Sequence, residues 1–181
     1  MIEFSRDGNR LICQLENEIV VLEPWGPDGI RVRASMGRTI IPGLFSALID
    51  QKNNKPVINI DNQTASLQHG DLIACMDQKG CLCFSSVSRG AELLAEQPVH
   101  HISIPARVYK SLQGNLFHLD CNFKAYDDEK LFGLGQHQHG KLNQKGCVIE
   151  LIQRNSEITI PFMVSSRGYG FLWNNPAIGR V

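Results

Sequence analysis

The sequence predicts an all-β protein, an antiparallel β-sandwich with little helix. Short runs of β-branched or alternating apolar residues recur along the whole chain, and turn residues separate them about every eight to twelve residues. Helical periodicity is scarce. Many short strands joined by such turns are typical of a sandwich or a barrel. No repeat, low-complexity tract or linker interrupts the 181 residues, so we expect a single domain over 1–181.

The individual elements follow from these runs. Strands are predicted at 11–15, 19–23, 30–34, 65–68, 72–76, 81–84, 116–121, 148–152, 158–164 and 169–173. The Pro- and Gly-rich segment 24–29 and the tetrad 77–80 are predicted turns, the second one joining a hairpin. Pro42 at a first helical position favours a short helix over 42–50, and 90–97 fits either a helix or a bulged strand.

Charge and cysteine usage exclude several function classes. Eighteen basic residues balance eighteen acidic ones, so no long-range field is available to attract a nucleic acid or an anionic membrane. No signal peptide is visible at the N-terminus, and no apolar run reaches the length of a membrane span. The six cysteines lack the spacing of a disulfide framework or a metal site. We therefore expect free thiols and a cytoplasmic location.

The segment 131–140 is the first candidate for chemistry. Gly133 and Gly135 predict an irregular, close-packed loop, and because no GxGxxG is completed and no helix follows, a dinucleotide site is excluded. His137 and His139 would share one face of a strand as metal ligands, or they would contribute hydrogen bonds in a loop. No third ligand stands at a recognisable spacing, so we expect the hydrogen-bonding role, with no metal and no cofactor.

A family resemblance rests on several short motifs in a fixed order. They are Gly-Leu-Gly-Gln-His at 133–137, Asn-Gln-Lys-Gly at 143–146, Glu-Leu at 150–151, Arg-Asn at 154–155, Ile-Pro-Phe at 160–162, Ser-Ser-Arg-Gly-Tyr-Gly at 165–170 and Asn-Asn-Pro at 174–176. Together they resemble the N-terminal domain of glycoside hydrolase family 31, most closely its bacterial α-xylosidase and α-glucosidase-like branch. The residues before 131 resemble that domain only in their pattern of strands.

The resemblance implies a galactose mutarotase-like sandwich that precedes a catalytic (β/α)8 barrel. In such a retaining α-glycosidase, which releases terminal α-linked xylose or glucose from oligosaccharides, the nucleophile and the acid/base are two barrel aspartates. The chain reaches Val181 before any barrel strand. We therefore expect no catalytic residue and no hydrolysis by this piece alone. An exposed apolar face is expected where the barrel packs, and the isolated piece would self-associate through it.

The resemblance also carries the candidate site residues. The family's sugar-contacting Arg-[Asn/Asp] step falls on Arg154 and Asn155, where many members have Asp. An amide donates as well as accepts hydrogen bonds, whereas a carboxylate only accepts them. A turn residue that tolerates left-handed geometry explains Asn155 equally well. Arg154 and Glu157 either orient this loop through a salt bridge or form a solvated rim pair. We expect Trp173 in a core or interface.

Two other functions stay open at this point. A stand-alone carbohydrate-binding module would share the sandwich and bind sugars through exposed aromatic side chains. An aldose mutarotase would need a His acid and a Glu base across the sugar ring. The chain offers His100, His101, His118 and Glu150 for that pair, but no motif selects two of them.

Overall fold

The computed structural model describes residues 2–37, 39–41, 47–49, 51, 53–99 and 104–181. These residues form sixteen strands in five antiparallel sheets, with one 3₁₀ turn at Gln113–Asn115. The predicted helix over 42–50 falls mostly outside the described residues. Within the described ranges, no helix is long and apolar enough to cross a membrane. Contacts group the chain into two compact units, 1–43 with 51–124 and 44–50 with 125–181. The single domain over 1–181 stays a prediction.

The first unit contains eleven of the strands in three antiparallel sheets. The four-stranded sheet runs in chain order through β1 (Glu3–Asp7), β2 (Arg10–Gln14), β3 (Glu18–Trp25) and β4 (Gly29–Met36). The five-stranded sheet does the same with β5 (Val57–Ile60), β6 (Thr64–His69), β7 (Leu72–Asp77), β8 (Leu82–Ser86) and β9 (Ala91–Ala95). A separate hairpin pairs β10 (Arg107–Ser111) with β11 (Phe117–Cys121).

The core of the first unit lies between the four-stranded and the five-stranded sheet. Alternate residues of a strand point to opposite faces, so each strand contributes every second side chain. The buried set is Leu11, Cys13, Val20, Leu22, Ala65, Leu67, Ala74, Met76 and Leu82. Full burial of one Leu side chain stabilises the fold by about 1.5–3 kcal/mol. The predicted antiparallel β-sandwich is confirmed by these facing sheets.

Two local predictions in this unit can be compared with the structure. The tetrad 77–80 is the turn between β7 and β8, where Gly80 N donates to Asp77 O at 3.0 Å and Gly80 has a φ of 77°. Of the two alternatives for 90–97, a helix or a bulged strand, the structure shows the strand, β9. β9 pairs with β8 through a register shift between Phe84 and Ser85, which is a β-bulge.

A buried charge cluster links strand ends within the first unit. The Arg107 guanidinium donates to both carboxylate oxygens of Glu18 at 2.8 and 3.0 Å, and also to Glu96. Tyr109 Oη donates to Glu18 Oε1 at 2.6 Å, and Leu82 N donates to Glu96 Oε2 at 2.8 Å. Burial raises the pKa of Glu96, and the attraction of Arg107 offsets part of that rise. Removing any one of these charged side chains would leave an uncompensated buried charge, which destabilises the fold.

The second unit has smaller sheets and a smaller core. β12 (Leu131–Gln136), β14 (Ile158–Ser165) and β15 (Tyr169–Leu172) form a three-stranded sheet, and β13 (Glu150–Leu151) pairs with β16 (Gly179–Arg180). Its core cluster contains three buried residues, with three partly buried neighbours that include Trp173: Leu134, Ile149 and Leu151 against Cys147, Met163 and Trp173. Trp173, which was predicted in a core or an interface, is partly buried against this core.

The predicted loop around Gly133 and Gly135 is wrong, because these residues belong to strand β12. Gly133, Leu134 and Gly135 all have positive φ, at 106°, 65° and 104°, and the register to β14 shifts between the two glycines. A Cβ on Gly135 would lie 2.0 Å from Ile158 O. The two glycines therefore form a β-bulge in a paired strand. At both positions a Cβ atom would clash with the backbone of β14.

Candidate functional site

The Arg154–Glu157 segment is a tight turn that leads into strand β14. Glu157 N donates to Arg154 O at 3.3 Å, and the two residues form a bridge that closes the turn. Asn155 and Ser156 are its two central residues, and Ser156 has a φ of 68°. A positive φ at the second central position is the pattern of a type II turn. The left-handed residue is therefore Ser156, so Asn155 is a turn residue, as one of its two explanations had it, but it does not adopt left-handed geometry.

Two polar side chains that the sequence analysis missed hold this turn in place. Gln153 Nε2 donates to Thr159 O at 2.7 Å, and Thr159 N donates to Gln153 Oε1 at 3.1 Å. The Thr159 hydroxyl, buried on β14, donates to Ile152 O at 3.0 Å. Thr159 is polar within an otherwise apolar run, which is the sequence signal that marks it. These bonds fix the stems on both sides of the turn.

The Asn155 side chain is exposed at the tip of the turn. It forms no hydrogen bond with any residue that the structure describes. Its carbonyl and its amino group both remain available to a ligand, and they can accept and donate at the same time. The Asn155 amide is thus open to solvent, and its contact with a sugar stays a prediction.

The flanking charges do not pair with each other. Arg154 Nη2 lies 3.7 Å from Glu150 Oε2, and both side chains are exposed. Glu157 is partly buried, and its side chain has no ion pair among the described residues. An exposed pair at this distance contributes about 0–1 kcal/mol. The turn is therefore oriented by Gln153 and Thr159, with the charges at its rim.

A strip of exposed apolar side chains begins directly after the turn. We call Ile158, Ile160, Phe162 and Val164, on the outward face of β14, the apolar strip; they are 56%, 53%, 42% and 45% exposed. Beside them the bulged β12 offers mostly backbone, which leaves an open depression of about 360 Å³ lined by 133–136 and three strip residues. On most strands the solvent-facing side chains are polar, but on β14 these four are apolar.

The two histidines after β12 bond to nearby backbone groups. His137 Nε2 lies 2.9 Å from Leu134 O, and His139 Nδ1 accepts from Lys141 N at 3.0 Å. The rings stack with centroids 5.8 Å apart. The predicted hydrogen-bonding role is confirmed. Within the described ranges, no three His, Cys, Asp or Glu side chains group as a metal site.

The residues considered for a mutarotase pair have separate partners. His118 lies in the first unit, 2.9 Å from Asp120 Oδ1, and both are exposed. Glu150 lies in the second unit beside Arg154. His100 and His101 lie outside the described residues. His118 and Glu150 thus belong to different units, and each has its own charged partner.

The first unit is thus a β-sandwich of facing antiparallel sheets, and the second unit carries a polar turn beside an exposed apolar strip. A family model identifies the kind of domain. The glycosyl hydrolase 31 N-terminal galactose mutarotase-like domain matches residues 1–181, and the chain belongs to this family.

Relatives and solved structures match across the chain. The uncharacterized family 31 glucosidase ORF2 of Pseudescherichia vulneris is 36% identical over 100% of this chain and 37% of its own length. Alpha-xylosidase A of Aspergillus niger is 29% identical over 98% of the chain and 27% of its own length. A GH31 alpha-xylosidase from a soil metagenome, solved with xylose, superposes with a TM-score of 0.90 at 34% identity, covering 98% of this chain and 29% of that one. The chain thus spans about a third of the length of its relatives.

Proposed function

We propose that this chain is the N-terminal part of a retaining α-glycosidase that releases terminal α-linked xylose or glucose from oligosaccharides. Membership of the glycosyl hydrolase 31 N-terminal domain family carries this proposal, together with relatives named as α-xylosidases and a glucosidase. The chain supplies no catalytic carboxylate pair in this proposal and is inactive alone. It acts through its surface, by packing on the catalytic domain and completing the sugar site.

The turn at Arg154–Glu157 is the part that contacts substrate in this proposal. Asn155 projects an unoccupied amide into solvent from a turn whose stems are fixed by Gln153 and Thr159. A group that both donates and accepts suits neighbouring hydroxyls of a sugar ring. A fixed turn loses little conformational entropy when it binds. Arg154 and Glu157 shape the rim around Asn155.

The apolar strip is the surface that packs on the rest of the longer protein. Four adjacent apolar side chains at 42–56% exposure form a patch that soluble proteins normally cover. The strip begins one residue after Glu157, so any domain that covers it also lies beside the turn. Separated from that domain, the chain is expected to self-associate through the strip. We also propose a cytoplasmic location, supported by six free cysteines.

The decisive experiment uses the longer protein that contains this chain. Hydrolysis of nitrophenyl α-xyloside and α-glucoside is measured for the wild type, for Asn155→Ala and for Asn62→Ala. Asn62 is a matched control because it is another exposed asparagine between two strands, and it accepts a hydrogen bond from Gln78 Nε2 through its backbone carbonyl. Loss of a hydrogen bond to substrate is expected to lower kcat/KM by roughly 2–10-fold in Asn155→Ala. Asn62→Ala should match the wild type.

Three results would contradict the proposal. Equal kcat/KM for the two variants would remove Asn155 from the substrate site. Turnover by the present chain alone would place catalytic groups where none is expected. Tight binding of xylo-oligosaccharides by the chain alone in calorimetry, with an inactive longer protein, would replace the glycosidase by a carbohydrate-binding module.

A further inference from the structure

Two cysteines face each other across the centre of the five-stranded sheet. Cys75 of β7 and Cys83 of β8 are direct partners in the antiparallel register. Directly opposed residues in such a pair have Cα atoms about 4.5–5.5 Å apart. Disulfides connect Cα atoms about 4.4–6.8 Å apart. The backbone therefore already holds the two residues at a separation that a disulfide bond can span.

Both thiols lie on the face of the sheet that points away from the sandwich core. Their neighbours Ala74, Met76 and Leu82 point into the core and are buried, so the alternation places Cys75 and Cys83 on the opposite side. Both cysteines are partly exposed. The residues paired with them on the flanking strands are Ser66, beside Cys75, and the buried Ala95, beside Cys83. The partial exposure of the two thiols is what makes them accessible to a reagent.

The pKa values of the two thiols are shifted in opposite directions. A hydrogen bond from the Cys83 side chain lowers the pKa of Cys75 to about 7, with burial opposing it. The same bond, burial and the nearby charges of Cys75 and Glu92 raise the pKa of Cys83. Elsewhere, burial raises the pKa values of Cys13 and Cys121 to about 12. Cys75 is thus the thiol that supplies a thiolate near neutral pH, and thiolates are the nucleophiles in disulfide exchange.

We propose that Cys75 and Cys83 form a dithiol site that small disulfides oxidise to a cross-strand disulfide. The Cys75 thiolate attacks one sulfur of the reagent disulfide, forms a mixed disulfide and releases one thiolate. Cys83 loses its proton to solvent and attacks the Cys75 sulfur, which forms the Cys75–Cys83 bond and releases the second thiol. Two protein thiols are oxidised and one reagent disulfide is reduced to two thiols. Partly exposed disulfides of this kind are reduced again readily.

The experiment follows exchange of the full 181-residue chain with oxidised glutathione at neutral pH, by stopped-flow thiol release and by intact and peptide mass spectrometry. The wild type should lose two hydrogen atoms and gain a link between the peptides that carry Cys75 and Cys83. Cys75→Ser should slow the first step at least tenfold, because the thiolate is removed. Cys83→Ser should react and then stop as a mixed disulfide with one glutathione on Cys75.

Cys81→Ser is the matched control, since Cys81 is also partly exposed, lies two residues from Cys83 and has a pKa raised chiefly by burial. It should behave as the wild type does. A fast reaction that persists in Cys75→Ser, or a wild type that accumulates only the mixed disulfide, would overturn the proposal. Circular dichroism of each variant verifies that the sheet is folded. None of these readouts involves glycoside hydrolysis, so the dithiol site and the proposed glycosidase function stand or fall separately.

Discussion

The two units of this chain differ in where they put their apolar side chains. In the first unit the residues of the core cluster are 0–3% exposed, and partly buried apolar side chains pack against them. In the second unit strand β14 does the reverse. It turns Thr159 and Ser165 inward and leaves four large apolar side chains at 42–56% exposure. The first unit encloses a core between its two larger sheets, whereas the second unit leaves a strip of apolar side chains exposed.

The buried charges sharpen the same contrast. Arg107, Glu18 and Glu96 are sequestered in the first unit with side-chain exposures of 7%, 11% and 3%. The ion pair at the candidate site, Arg154 with Glu150, is exposed at 55% and 46%. Removing one partner of the buried cluster leaves an uncompensated charge, whereas the exposed pair of the second unit contributes little to stability.

The largest expected effect tests the buried cluster of the first unit. Arg107→Met would leave Glu18 and Glu96 as unpaired charges away from water. We expect a loss of about 3–5 kcal/mol in the free energy of unfolding, measured by urea denaturation. Lys110→Met is the control on the same strand, because Lys110 pairs with Asp120 at the surface, and it should cost less than about 1 kcal/mol. Equal losses would show that the cluster is solvated.

The second prediction compares the two kinds of apolar residue directly. In the chain alone, Leu67→Ala removes a fully buried side chain and should cost about 3 kcal/mol, within the range of cavity-forming substitutions. Ile160→Ala removes an exposed one and should stay within about 0.5 kcal/mol. Thermal unfolding of both variants is the measurement.

The same Ile160→Ala substitution in the longer protein tests what covers the apolar strip. If the strip packs on the catalytic domain, the loss there should exceed the loss in the chain alone. An unchanged loss, together with a monodisperse monomeric chain in sedimentation, would mean that the strip stays exposed in both.

The third prediction concerns the bulge in β12. Gly135→Ala combines a φ of 104° with a Cβ 2.0 Å from Ile158 O, and it should destabilise the second unit by about 2 kcal/mol. Gly146→Ala has a φ of 77° and no atom within 4 Å of its new Cβ, so only about 1 kcal/mol is expected from backbone strain. Chemical denaturation of the two variants measures the difference. Similar values would show that β12 can move away from β14.

The smallest expected effect is a pH dependence in the first unit. Burial raises the pKa of Glu96 above its ordinary 4.5, so the folded chain binds this proton more tightly than the unfolded chain. The contribution of this proton to the free energy of unfolding is fully present below about pH 4.5, and it is lost as pH rises through the raised pKa of Glu96. The slope cannot exceed about 1.4 kcal/mol per pH unit for one proton.

Urea denaturation at several pH values checks this slope in the wild type and in Glu96→Gln. The variant should not show the loss of stability with rising pH that Glu96 causes. It should keep the gain of stability with rising pH that comes from groups with a lowered pKa, such as Asp120, whose hydrogen bonds with Lys110 and His118 lower its pKa. Parallel curves for the two proteins would exclude Glu96 as the source.

Sequence patterns predicted most of the first unit because its strands obey one rule. In β6 to β8 and the 77–80 turn, apolar and polar residues alternate beside clear turn residues. The side chains that the pattern predicts to be buried are the ones that the folded structure buries. Strands β1, β5 and β10 were missed. Most side chains of β1 and β5 are exposed and leave no apolar pattern. Strand β12 was mistaken for a loop because glycines weaken every strand signal, although here they permit a bulge.

By itself, the sequence determined the all-β class, the family resemblance and the candidate residues Arg154, Asn155 and Glu157, because each depends on residue type and order. Only the tertiary structure decided which groups meet. It gave the left-handed position to Ser156, the anchoring role to Gln153 and Thr159, and the Arg154 ion pair to Glu150. It also set Cys75 opposite Cys83 and left the apolar strip uncovered. Register and burial are properties of paired strands, and no single segment encodes its partner.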